Sequence, residues 1–286
     1  MNAVAKPRPE GLMARVTRAM VAPVKRLHPN MRKMRRYTPH IHVSLDTRRF
    51  TVKTVEHGTE LAEVLRLRHD VFYRELLNKR KIFQLDLDRF DFLCDHLVII
   101  DKRTNDMVGT YRLNASTFSS DFYTETEFHF EPVRNLQGHK LELGRACVKD
   151  GYRNGITLTL MWKGVLHYMQ ETGCRYLFGC SSVKTTDPET IRALHRYMTT
   201  HYSLPELHPI RPRKAFQVKN LHRDAPPLPD HQIEEHIPPL LQFYLKCGAR
   251  ICGEPALDKA FKCIDFLTIL DLDQLNRDIG KRFNRC

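Results

Sequence analysis

Residues 141–180 carry the pattern that most restricts the fold. Leu141-Glu-Leu-Gly-Arg-Ala-Cys-Val148 has strand length, residues 156–172 form one long apolar helical stretch, and residues 176–180 read as a further strand. Upstream, strands are expected over about 49–55, 96–101 and 107–114, with a helix over about 58–77 after the first. Downstream, Pro238 and Pro239 open a short helix with Leu240, Leu241, Tyr244 and Leu245 on one face, and Gly248 closes it. Strands near 249–252 and 266–272 complete the set. This order predicts an α/β domain with a mixed sheet.

Eight of the sixteen prolines fall between residues 203 and 239, so that stretch is expected to be an irregular insertion, a lid or a binding loop. With 286 residues, 42% of them hydrophobic, the chain can bury a sizeable core. No apolar run nears the roughly 20 residues that span a bilayer, and the N-terminus lacks an apolar signal core. None of the eight cysteines forms a C-x-x-C pair, which argues against a structural metal or a disulfide framework. A cytoplasmic location follows as the expectation.

The formal charge is +13, and residues 1–36 hold ten Lys/Arg against Glu10 alone. The excess therefore belongs to an arm, here bounded at residues 1–47, rather than to the domain over 48–286. Within the arm, Leu12, Val16, Met20, Val24 and Leu27 share a helical stripe with basic residues mostly away from it. Such a helix suits an anionic membrane surface and peripheral association with the inner membrane; the alternative reading is a solvated or disordered basic tail. A nucleic-acid partner is not expected, because the arm lacks interleaved aromatics and no recognition motif follows it.

Two constellations could carry chemistry. On the helix over 58–77, Arg68 sits within the apolar stripe, where a charge must be paired or face a cavity. Asp86, Asp88, Asp91 and Asp95 follow as ready partners. In 141–148, strand alternation puts Glu142 with Gly144, Ala146 and Val148, and places Arg145 and Cys147 on the opposite face. A carboxylate among small and apolar residues suits a general base. Gly144 inside the strand suggests a bulge.

The segments Leu67-Arg-His-Asp-Val-Phe72, Cys94-Asp-His-Leu97, Val108-Gly-Thr-Tyr-Arg-Leu113, Leu141-Glu-Leu-Gly-Arg-Ala-Cys-Val148 and Leu177-Phe-Gly-Cys-Ser-Ser182 occur in that order. Together they resemble the bacterial ornithine-lipid-forming N-acyltransferases of the GNAT superfamily and, more remotely, the acyl-homoserine lactone synthases. The resemblance implies transfer of a (3-hydroxy)fatty acyl group from acyl carrier protein to the α-amine of ornithine or a related amino acid. It implies a GNAT-like α/β fold with a mixed, mostly antiparallel sheet flanked by helices, and no metal or cofactor beyond the acyl donor. It places Glu142 and Arg145 in catalysis, and Arg68, Phe72, Asp88, Asp91, Asp95, His96 and Arg112 in substrate binding. Ala146, Cys147 and Val148 would line the cleft for the acyl chain and pantetheine. Tyr152-Arg-Asn-Gly-Ile-Thr157 lacks the second small residue of the pyrophosphate loop found in coenzyme A-using relatives, which agrees with a carrier-protein donor. The competing expectations are a signal synthase making acyl-homoserine lactones and a basic nucleic-acid-binding protein.

Overall fold

A computed structural model describes residues 29–207, 210–223 and 228–275. Nine strands form one sheet: β1 (Ser44–Asp46), β2 (Phe50–Thr54), β3 (Asp95–Asp101), β4 (Asp106–Ala115), β5 (His139–Val148), β6 (Cys174–Val183), β7 (Arg250–Ile251), β8 (Ala256–Asp258) and β9 (Cys263–Asp271). Their order is β1-β2-β3-β4-β5-β6-β9-β7, with β8 on β9, and every pairing is antiparallel except β5 with β6. The sheet is therefore mixed, as the element order predicts, and mostly antiparallel, as the resemblance implies.

Among the described residues the helices are α1 (Pro29–Arg35), α2 (Gly58–His69), α3 (Glu131–Arg134), α4 (Gly155–Thr172), α5 (Pro188–Tyr202), α6 (Asp230–His236) and α7 (Pro239–Cys247). The parallel pair exists because α4 carries the chain back across the sheet between β5 and β6. The Asn154 side chain caps α4, accepting from the N–H groups of Ile156 and Thr157, and Gly173 closes it at φ 61°. Leu160, Met161, Val165, Tyr168 and Met169 recur at helical spacing and bury against one sheet face together with Leu97, Leu113, Leu141 and Leu143. On the opposite face, α2 buries Leu61, Val64 and Leu65 beside Val98, and continues into a wider π-helical segment over Asp70–Leu76.

The structure departs from the sequence reading in three places. Residues 203–237 are no loose lid where described: Leu207, Ile210, Leu221, Ile233 and Ile237 are buried, because each proline-bounded segment offers an apolar residue to the body. Helix α5 was not anticipated, although Asp187 accepts from Thr190 N at 2.8 Å and Pro188 opens the first turn. Finally, Met34, Tyr37 and Val43 are buried and β1 joins the sheet, so the packed body extends N-terminal to residue 48. The amphipathic stripe read over 11–27 lies outside the described residues.

Candidate active site

The central feature is a gap in the sheet. Strands β5 and β6 pair from His139 with Cys174 to Glu142 with Phe178 and then separate. At the root of the gap, a Cβ added to Gly179 would lie 2.3 Å from the carbonyl oxygen of Leu143. Only glycine lets the two backbones meet there.

The other edge of β5 carries a bulge. Arg112 pairs with Gly144 and Thr110 with Cys147, so Tyr111 alone stands opposite Arg145 and Ala146. Arg145 takes up the extra residue in the left-handed region, at φ 51°. The bulge thus falls one residue beyond the expected Gly144, and it overturns the expected alternation. Arg145 turns to the same side as Glu142, with its guanidinium 4.8 Å from the Tyr123 ring centroid, whereas Ala146 packs with Leu141 and Leu143 on the other side.

The gap opens into a cavity of about 440 Å³, the size of a small-molecule site. Its lining comes from both sheet faces. On the α4 side it is apolar, with Leu143, Ala146, Trp162, Leu177, Leu241 and Tyr244, and the Tyr111 and Tyr244 hydroxyls hydrogen-bond to each other. On the α2 side it is polar, with Arg112, Tyr123, Thr124, Glu142, Arg145 and Cys180 among its walls.

Glu142 is 4% exposed and lines the polar side. Oε2 accepts from Tyr123 N at 2.9 Å, and Oε1 accepts from Thr124 N and Thr124 Oγ1, both at 2.7 Å. Burial raises its pKa, while the Thr124 hydroxyl and amide pull the other way. A carboxylate has about four lone-pair sites, so one on Oε2 is free to take a proton. Glu142 pairs with neither Arg112 nor Arg145. Those arginines belong to a ladder with Arg68: Arg68 binds Asp86 and Asp91, Arg112 binds Asp88 and Asp91, and Arg145 meets Asp86 and Asp88. Despite burial, Arg68 and Arg112 hold Asp91 well below the usual carboxylate range.

The expected site residues divide accordingly. Glu142, Arg145, Arg112, Phe72 and Ala146 line the cavity. Arg68, Asp88 and Asp91 lie behind that wall and orient the arginines. Cys147 and Val148 continue the edge of β5 that has left β6, but neither side chain lines the cavity: Cys147 is buried and Val148 packs against the core. Two assignments are corrected. Asp95 projects to the opposite face, where it accepts from His40 N at 2.8 Å, Ile41 N at 3.0 Å and Tyr168 Oη at 2.9 Å. His96 is fully buried with Nε2 3.0 Å from the Asp91 carbonyl, and burial lowers its pKa to about 4. Both hold backbone in place, and neither reaches the cavity.

Sequence reasoning missed a second acidic group on the polar wall: Glu127, Asp258 and Asp265, together with Cys263. Burial and then the charge of Asp265 push Glu127 up to about 8, and burial pushes Asp265 up to about 6. The available signal was Asp265 standing inside the apolar run Cys263-Ile-Asp-Phe-Leu-Thr-Ile-Leu270. The thiols offer no nucleophile: burial pushes Cys147 up to about 12 and Cys180 well above its ordinary value.

A sheet parted beside a bulged strand, with a buried carboxylate at the root of the gap, suits direct attack of an amine on a thioester. Residues 67–163 match the model of the Acetyltransferase (GNAT) domain, and the chain is an amide-forming acyltransferase of that fold. It is 28% identical over 249 residues to the L-ornithine N(alpha)-acyltransferase of Rhodobacter capsulatus, spanning 82% of this chain and 95% of that one. It is 30% identical over 246 residues to that of Brucella abortus, spanning 73% and 80% respectively. The chain belongs to the L-ornithine N(alpha)-acyltransferase family. Among solved structures it is similar to the acyl-homoserine lactone synthase LasI, with a TM-score of 0.46, 12% identity, and coverage of 78% of this chain and 90% of that one.

Proposed function

We propose that the protein moves a (3-hydroxy)fatty acyl group from acyl carrier protein to the α-amine of ornithine, the first step towards an ornithine lipid. The observation that carries this reading is the two-faced cavity, with one arm apolar enough for an acyl chain and the other polar enough for an amino acid. The acyl thioester spans the gap. Glu142 takes a proton from the α-ammonium, and the neutral amine attacks the thioester carbon. The C–N bond forms, the C–S bond breaks, and the thiol leaves with a proton. Beyond Glu142, β5 has no partner on its β6 side, which leaves backbone N–H groups near Ala146–Val148 for the developing oxyanion.

The carrier-protein donor draws support from the start of α4. Asn154 Oδ1 takes the N–H groups of Ile156 and Thr157, both at 3.1 Å, that a pyrophosphate would otherwise use. The basic residues of 1–36 supply an anionic membrane contact, which suits an enzyme whose product is a single-chain lipid.

The test is purified protein with acyl carrier protein or acyl-coenzyme A as donor and ornithine as acceptor. Free thiol is followed in solution, and the N-acyl product is read by mass spectrometry. Turnover that needs the carrier protein supports the reading, and equal turnover with both donors overturns that part. Sedimentation with anionic vesicles, lost on deleting residues 1–36, tests the membrane contact.

A further inference from the structure

We infer that Glu127, Asp258 and Asp265 form a subsite for the ammonium at the far end of the acceptor's side chain, and so select a diamino acid over a neutral one. The inference rests on the proposed amine acylation, because it assigns the polar arm of the cavity to the acceptor.

All three carboxyls line that arm and are buried. Side-chain ligand atoms of Asp258, Cys263 and Asp265 lie within 4.8 Å of one another. Asp258 Oδ1 accepts from Ala260 N at 2.7 Å and Phe261 N at 3.0 Å, and the Ser182 hydroxyl donates to Asp265. Glu127 differs from both: its Oε2 is buried without a hydrogen-bond partner, with the Tyr123 hydroxyl and the Cys180 thiol standing beside the carboxyl. A carboxylate oxygen facing a cavity in that condition calls for a donor that arrives with the ligand.

The donor must also bring positive charge. Among the described residues, no lysine or arginine forms an ion pair with Glu127, Asp258 or Asp265. Arg112, Arg145 and Lys184 share the cavity wall, but Arg112 and Arg145 are spent on Asp86, Asp88 and Asp91. Lys184 is exposed. Buried carboxylates without a counter-ion are tolerated where a ligand completes them. A primary ammonium supplies the charge and three N–H donors in a small volume. A divalent metal is a poorer fit, because burial raises the Cys263 pKa and leaves a thiol, its Sγ 3.9 Å from Asp265 Oδ2.

The subsite also shares the polar wall of the cavity with Glu142. Thr124 Oγ1 donates to Glu142 and stands 3.8 Å from Cys180 Sγ, and Cys180 feels the charge of Glu127 first among its neighbours. Glu142, Thr124, Cys180 and Glu127 thus form one continuous wall. An α-amine at Glu142 and a side-chain ammonium at Glu127 belong to one short molecule.

The experiment compares kcat/KM for ornithine and for norvaline, which has the same carbon chain without the terminal amine. It uses the full chain with an acyl thioester donor, in wild type, Glu127→Gln and Asp265→Asn. Wild type is expected to prefer ornithine strongly, and each substitution to lower that preference by about 100-fold. The ratio is taken within one preparation, so a partly unfolded sample does not disturb it. If neither variant folds, wild-type calorimetry in buffers of different ionisation heat takes over. Ornithine should release more protons than norvaline, reporting on Glu127 among Tyr123, Cys180, Asp258, Cys263, Asp265 and Arg145. Equal use of both amines by wild type, an unchanged ratio in the variants, equal proton release, or a requirement for a divalent ion that a chelator removes would each overturn the inference. Failure to acylate any amine would instead overturn the proposed function.

Discussion

Gly179 rests against the carbonyl of Leu143 so closely that a single methyl group would fall 2.3 Å from the oxygen. Neither backbone can yield without moving a strand, since Leu143 is paired with Leu113 on β4 and Gly179 with Thr268 on β9. Gly179→Ala should therefore cost more than about 2 kcal/mol of stability and lower turnover together. Thermal unfolding and steady-state rates check this. An alanine variant with wild-type melting and activity would mean that the gap tolerates widening.

Glu142→Gln should lower acyl transfer by about 100- to 10,000-fold if Glu142 is the general base. The change is not silent structurally. A carboxamide brings N–H donors to a place where Tyr123 N, Thr124 N and the Thr124 hydroxyl already donate. Stability should also fall by about 1–3 kcal/mol. Rates are to be measured well below the melting temperature, and near-normal turnover there would remove Glu142 from the mechanism.

Arg68→Ala should cost about 3–5 kcal/mol, because it leaves Asp86 and Asp91 buried without their shared partner. Its effect on turnover should travel through Arg112 and Arg145, which share those acids. Chemical denaturation measures the first effect. Unchanged unfolding would show that the arginine ladder contributes nothing to stability.

The pH dependence of stability separates two buried groups. The folded pKa of His96, about 4, lies below its ordinary 6.5, so the unfolded chain takes up the proton first and stability falls as pH drops through that window. Glu127 has the opposite sense. Its folded pKa of about 8 exceeds the ordinary 4.5, so the stability it contributes while protonated is lost as pH rises between those values. Glu127→Gln removes only the second dependence. Its stability relative to wild type should rise between pH 5 and pH 8 and level off above that, read by thermal unfolding from pH 5 to pH 9. A constant or falling difference would contradict the strained carboxyl.

The parts legible in the sequence were those written in consecutive residues. The run 141–148 announced a strand with one carboxylate, and the stretch 156–172 announced the helix behind it. The ion ladder was half visible, since Arg68 on an apolar stripe required acids and four stand together between residues 86 and 95. Arg145 was misplaced because a left-handed arginine has no local signature, and one extra residue exchanges the faces of everything after it. Asp95 was misplaced because alternation along β3 turns it to the face of Tyr168, and His96 because it is spent inside the fold on the Asp91 carbonyl. The acids Glu127, Asp258 and Asp265 escaped notice because only β9, lying beside β6, brings the last two to a segment more than a hundred residues earlier.

A cavity that passes between two strands, rather than into one face of a sheet, constrains how anything leaves it. On the proposed reading, the finished amide is threaded: its tail lies among Leu143, Trp162 and Leu177, and its head lies near Glu142 and Glu127 across the sheet. Neither end can withdraw through the seam without dragging the other behind it. The remaining route is sideways, along the unpaired seam towards Ser182 and Lys184, which line the cavity and are exposed. Release then resembles a slide out of an open fork, and its rate should depend on tail length more than on the head group.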